Sequence, residues 1–218
     1  MQKKFQIGLI RVLTTEDEEL LNRHGKTIME KYPMLEVESR CIPDQYEGIH
    51  SHELERLAVP KIVALAKEFR DKDMILVSCA DDPGVAEVRE ALPGMLVTGG
   101  GETTVALATR YGEKIGLLGI VEYAPKAYVR MIADKLVGNI KPDGVNSTLD
   151  LMTPEGRKNC LKAAMDLKNM GAEVIALGCT GLATIGIARE IEEVTGIPVI
   201  DPVLAQGAFA AFEAAKRM

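Results

Sequence analysis

Ile75-Leu76-Val77-Ser78-Cys79-Ala80-Asp81-Asp82-Pro83-Gly84 and Val174-Ile175-Ala176-Leu177-Gly178-Cys179-Thr180-Gly181 follow one plan. In each, a short, mostly apolar run ends at a cysteine and gives way to turn-forming residues and then to helical spacing. An apolar run of that length, bounded by turn formers, reads as a buried strand of a parallel sheet. Each cysteine therefore falls at the carboxyl end of a strand, where open α/β sheets bind their ligands.

Strands alternate with helices on both sides of these runs. Phe5–Leu13 reads as a first strand, and Thr14-Thr15 can cap the acidic helix start Glu16-Asp17-Glu18-Glu19. That helix is expected to end near Lys31, before Tyr32-Pro33. Leu35–Arg40 reads as a weaker strand, and Ser51–Arg70 as a helix that Pro60 breaks or kinks. A helix over Gly84–Ala91 and a strand over Met95–Thr98 complete the half. The order then restarts. Helix Glu102–Tyr111, strand Lys114–Ile120, helices Ala124–Leu136 and Pro154–Met170, the strand into Cys179 and helix Ala183–Thr195 follow in turn. Ile115-Gly116-Leu117-Leu118-Gly119-Ile120 echoes Ile7-Gly8-Leu9-Ile10-Arg11-Val12, and Ile197-Pro198-Val199-Ile200 echoes Gly94-Met95-Leu96-Val97. The expectation is an α/β fold of two similar parallel-sheet lobes related by a pseudo-two-fold axis, with the site in the cleft between them. Residues 1–98 with 204–218 would form the first lobe and 99–203 the second. The closing helix Pro202–Arg217 is the element able to cross back.

Bulk properties narrow the function classes. With 32 acidic and 26 basic side chains, and no dense Lys/Arg cluster, the chain offers no nucleic-acid surface. No segment approaches the roughly 20 apolar residues that span a bilayer. Met1 to Lys4 followed by Phe5–Ile10 reads as a first strand and not as a secretory signal. Cys41, Cys79, Cys160 and Cys179 show no CxxC spacing, which fits a reducing cytoplasm better than a disulfide framework. Cys41 and Cys160 lack any motif and read as structural.

Two thiols facing each other across a cleft can take a proton from one face of a carbon and return one to the other. A proton on carbon beside a carbonyl is weakly acidic, so its removal needs a placed base and stabilisation of the enolate. A free thiol, with a pKa of roughly 8.5, is lowered further by a helix N-terminus. Both cysteines precede helices, so lowered values are expected, with amides near Ala80, Asp81, Thr180 and Gly181 available to an oxyanion. Arg11, at the end of the first strand, is a candidate for a carboxylate or carbonyl oxygen. Thr14, Thr98 and Thr103 are weaker hydrogen-bonding candidates. Gly99-Gly100-Gly101 can present amides to an anion or imide, or serve as a turn; lacking Lys-Ser/Thr, it is no P-loop. Asp81 and Asp82 are expected to cap the next helix and orient the Cys79 turn. His50 and His52 lack the partners of a zinc site and read as loop residues.

Cys-Ala-Asp-Asp-Pro-Gly (79–84), with Val88-Arg89-Glu90 behind it, resembles the C-x-D-D-P-G…R-E signature of hydantoin racemases. Leu177-Gly178-Cys179-Thr180-Gly181-Leu182 resembles their second motif, and Gly196–Val203 is similar to their G-x-P-V-I-D-x-V ending. The resemblance is to the aspartate/glutamate/hydantoin racemase superfamily and runs from the first strand to the last helix. It implies a cofactor-independent racemase or epimerase with Cys79 and Cys179 as its catalytic pair. The implied substrates are 5-substituted hydantoins or related amino-acid derivatives, with Arg11, Thr14, Ala80, Asp81, Thr103, Thr180 and Gly181 as binding residues. It also implies a homo-oligomer with no metal. Two departures bear on the substrate. Hydantoin racemases usually carry an Asn-Pro-Asn-type turn where this chain has Arg11-Val12-Leu13-Thr14, and amino-acid racemases usually place Glu or His soon after the second Cys-Thr, where Gly181 stands here. Other readings are an aspartate/glutamate-type racemase and a superfamily decarboxylase or isomerase. A small-molecule-binding protein or thiol-redox sensor is the alternative from another class.

Overall fold

The computed structural model describes residues 4–217. Two four-stranded, all-parallel sheets repeat one topology. The first contains β1 (Phe5–Arg11), β2 (Leu35–Cys41), β3 (Met74–Ser78) and β4 (Leu96–Gly99), in the order β2-β1-β3-β4. The second contains β5 (Ile115–Leu118), β6 (Leu136–Ile140), β7 (Val174–Leu177) and β8 (Val199–Ile200), in the order β6-β5-β7-β8. The chain thus forms the expected pair of similar parallel-sheet lobes. In each sheet the chain first steps outward from the central strand and then returns to its other side. The switch points therefore lie between β1 and β3 and between β5 and β7, and crevices at such points collect ligands.

The helices are α1 (Glu18–Lys31), α2 (His52–Glu68), α3 (Val85–Ala91), α4 (Gly100–Ala108), α5 (Lys126–Ile132), α6 (Pro154–Asn169), α7 (Thr180–Thr184), α8 (Ala188–Thr195) and α9 (Pro202–Ala215). Central strands such as β3 and β7 are buried along their whole length, as helices on both faces of a parallel sheet require. Val105 and Ala108 of α4 pack into one cluster with β5 and β7. Val203, Ala210 and Ala214 of α9 pack with Phe5, Ile7 and Leu9 of β1, and the Gln206 amide donates to the Val77 carbonyl at 3.0 Å.

Several boundaries differ from the sequence reading. Asp17, not Thr14 or Thr15, caps α1, accepting from the amides of Glu19 and Leu20. Pro60 lies inside an unbroken α2. Residues 124–136 do not form one helix: α5 ends at Ile132, and Leu136 opens the edge strand β6, whose residues are all half-buried. The helix expected over 183–195 is two helices, starting at Thr180 and parted by Gly186 at φ +62°.

Candidate active site

One cavity of about 70 Å³ lies between the lobes, with room for several waters. Its lining comes from the carboxyl ends of the four switch-point strands: Arg11–Leu13 after β1, Ser78–Asp81 after β3, Ile120, Val121 and Tyr123 after β5, and Gly178–Gly181 after β7. Cys79 and Cys179 both line it, and both are free thiols. Leu149 and Met152, each 56% exposed, complete an apolar wall from the long connection before α6.

The two cysteines are held differently. Cys179 is the N-cap of α7, and its Sγ accepts from the Gly181 amide at 3.3 Å. That amide and the Leu182 amide favour the thiolate, yet burial outweighs them and pushes the thiol up to about 11. Cys79 stands ahead of a turn, and its carbonyl accepts from the Gly100 amide at 3.0 Å. Burial also pushes its thiol well up, with the charges of Asp81, Cys179 and Asp82 adding to the effect. The lowered thiols expected from the helix starts are thus not found. Helix ends lower a thiol only while it stays solvated enough to ionise, and here desolvation dominates.

Asp82 explains the glycine triad. Its carboxylate accepts from the amides of Gly101 at 2.6 Å and Glu102 at 2.7 Å, capping α4 and not the adjacent α3. A Cβ at Gly99 would lie 2.0 Å from Asp82 Oδ1, and one at Gly101 2.2 Å from the Ala80 carbonyl oxygen. The glycines are there to admit Asp82 and the Cys79 turn, so those amides are not offered to an anion. Burial raises Asp82 to about 7.

Of the other sequence candidates, Ala80, Asp81, Thr180 and Gly181 line the cavity. Arg11 borders it, but its Nη1 donates to the carbonyls of Leu20 at 2.6 Å and Leu21 at 3.2 Å, tying the guanidinium to α1. Thr14 does not line it: its hydroxyl donates to the Ile42 carbonyl and accepts from the Gln45 amide. Thr103 is buried inside α4, with its hydroxyl on the carbonyls of Gly99 and Gly100. Thr103 bonds back to the preceding turn of its own helix, as short hydroxyl side chains do, whereas the half-buried Thr14 ties β1 to the turn after β2. At the mouth, His52 of α2 stacks on Tyr123 with ring centroids 4.6 Å apart, and Lys126 of α5 pairs with Glu55 of α2. Asp81 accepts from the Lys126 amide at 3.3 Å. Among the described residues, no cluster of His, Cys, Asp or Glu could hold a metal ion.

Tyr123, Ser78 and Thr184 were not anticipated from sequence, whereas Leu149 and Met152 lie in the 141–153 connection, a loop expected to shape the pocket. Thr184 follows Thr180 by one helical turn, a signal visible only once α7 is known to begin at 180.

A sequence model of the Asp/Glu/Hydantoin racemase family matches residues 7–210. The chain belongs to that family. Its membership makes this racemase an isomerase by class. A hydantoin racemase from Paenarthrobacter aurescens is 26% identical over 167 residues, covering 74% of this chain and 70% of that one. An allantoin racemase from Pseudomonas fluorescens shares the fold at a TM-score of 0.80 and 19% identity, covering 98% of this chain and 92% of that one. An allantoin racemase from Klebsiella pneumoniae matches at 0.80 and 20% identity, covering 99% and 89%. No helix among the described residues is long and apolar enough to cross a membrane.

Proposed function

We propose that this racemase inverts the C5 centre of 5-substituted hydantoins or closely related cyclic amino-acid derivatives, with Cys79 and Cys179 as its two proton-carrying groups and no cofactor. The observation that carries the reading is the placement of two free thiols, from equivalent strand ends of the two sheets, on one cavity. One sulfur, as thiolate, takes the C5 proton and becomes S–H, and the bonding pair moves to the neighbouring carbonyl oxygen. The other thiol delivers its proton to the opposite face and becomes the thiolate. The enzyme finishes with the roles exchanged, ready for the other enantiomer. Entry of substrate must bring one thiol into its ionised form, for which the Gly181 and Leu182 amides at Cys179 are suited.

The choice of substrate class is supported by the lining. Among the described residues the one lining cation, Arg11, is engaged with α1, and Asp81 presents a carboxyl that suits an N–H donor and repels a carboxylate. An imide or ureide ring with an apolar substituent against Leu149 and Met152 fits better than a free amino acid. The names of the curated relatives agree with this. The test is decay of optical rotation for enantiopure 5-isobutyl- and 5-benzylhydantoin, allantoin, aspartate and glutamate, each against an enzyme-free blank. Racemisation of the apolar hydantoins above the blank is expected. Racemisation of aspartate or glutamate alone would overturn the substrate class, and activity retained without either cysteine would overturn the mechanism.

A further inference from the structure

His24 of α1 is 1% exposed and lies behind the cavity wall. Its Nδ1 sits 2.8 Å from the Ser78 hydroxyl and its Nε2 2.8 Å from the Thr184 hydroxyl. The Thr184 hydroxyl donates to the Thr180 carbonyl at 3.2 Å, and the Thr180 hydroxyl donates to the Ser78 carbonyl at 3.3 Å. One hydroxyl carries one proton, so Thr184 must accept from Nε2–H, and Ser78 must then donate to Nδ1. The result is a closed ring, Ser78–His24–Thr184–Thr180–Ser78, with every proton assigned. Ser78 adjoins Cys79 in the chain and Thr180 adjoins Cys179. Ser78, Thr180 and Thr184 also line the cavity, whereas His24 does not.

We propose that His24 is a positioning residue that fixes the spacing of the two cysteine-bearing turns, through this ring and in its neutral Nε2–H form. This rests on the two-thiol reading above. Two-base inversion depends on the second thiol standing opposite the carbon that the first has deprotonated. An imidazole is rigid and offers an acceptor and a donor on opposite sides, so it holds one hydroxyl from each lobe at a set separation. Loosening that separation leaves proton removal by the nearer thiol intact while delivery to the opposite face fails. Reprotonation then comes from the same side, with exchange but without inversion.

The experiment measures racemisation and C5 deuterium uptake in heavy water, on the same hydantoin, for wild type, His24→Leu and Thr184→Val. The second variant is isosteric and guards against misfolding of the first. Side-chain ¹⁵N spectra of wild type report the tautomer of His24. The expected result is a neutral Nε2–H imidazole, with racemisation by His24→Leu down ~100-fold and its exchange-to-racemisation ratio up ~10-fold at little change in KM. Thr184→Val should move the ratio in the same direction. Exchange and racemisation falling in equal proportion, or neither changing, would overturn the positioning role while leaving the two-thiol mechanism standing. An Nδ1–H or charged imidazole at neutral pH would also overturn it. A wild type that neither exchanges nor racemises any hydantoin would sink the functional reading, and the positioning role with it.

Discussion

Gly101→Ala sets two physical effects against each other with opposite signs. Gly101 lies in the first turn of α4 at negative φ, so propensity alone predicts that alanine stabilises the protein, by up to about 1 kcal/mol. The added Cβ, however, would stand 2.2 Å from the Ala80 carbonyl oxygen and 2.9 Å from Asp82 Oδ2. The first neighbour is backbone and cannot rotate away, so the Cys79–Asp82 turn must retreat by about 1 Å to reach ordinary contact. That retreat stretches the 2.6 Å and 2.7 Å bonds from the Gly101 and Glu102 amides to the Asp82 carboxylate. Above pH 7, where Asp82 is ionised in the folded protein, charge-assisted bonds of this kind contribute about 1.5–3 kcal/mol each. Losing most of one outweighs the propensity gain, for a net destabilisation of about 1–2 kcal/mol. A shift of that size next to Cys79, one of the two proton carriers proposed above, is expected to lower kcat about 100-fold. The chain has no Trp, so urea unfolding is best followed by far-UV circular dichroism, with hydantoin racemisation assayed in parallel. A raised midpoint with unchanged activity would refute the steric argument and return the glycine to a flexible turn.

Two further outcomes follow from the shifted groups. Asp82 is raised from its ordinary 3.8 to about 7 in the folded protein, so the native state holds a proton that the unfolded chain releases across that range. Its contribution is fully present below about pH 4 and lost as pH rises through 7, by about 4 kcal/mol at most; Asp82→Asn should flatten that part of the urea-midpoint profile, and an unchanged slope would assign it elsewhere. Cys179, pushed up to about 11, should be alkylated by iodoacetamide about tenfold faster per pH unit between roughly pH 7 and 10, and a rate already flat near neutrality would contradict the dominance of burial.

The elements most legible in the sequence are those whose burial is uniform. β3 and β7 are buried throughout because both faces are covered, and apolar but for Ser78, so their ends, and hence Cys79 and Cys179, could be placed without a structure. β6 escaped notice because an edge strand with every residue half-buried, and with Gly138 and Asn139 inside it, carries neither an apolar run nor alternation. Thr14, Thr103 and Arg11 drew attention by residue type, but whether a hydroxyl or guanidinium faces a ligand depends on which backbone groups come near it. The Leu20 and Ile42 carbonyls that occupy Arg11 and Thr14 reach them only on folding. His24 had no local signal at all: its partners lie 54 and 160 residues away, in different lobes.

The central claim is that each cysteine serves one face of the substrate, and the most direct measurement is C5 deuterium uptake by each enantiomer separately, with Cys79→Ser and Cys179→Ser. The account predicts that each variant fails to racemise yet still exchanges one enantiomer, and that the two variants exchange opposite ones. Exchange of the same enantiomer by both, or racemisation surviving in either, would contradict it.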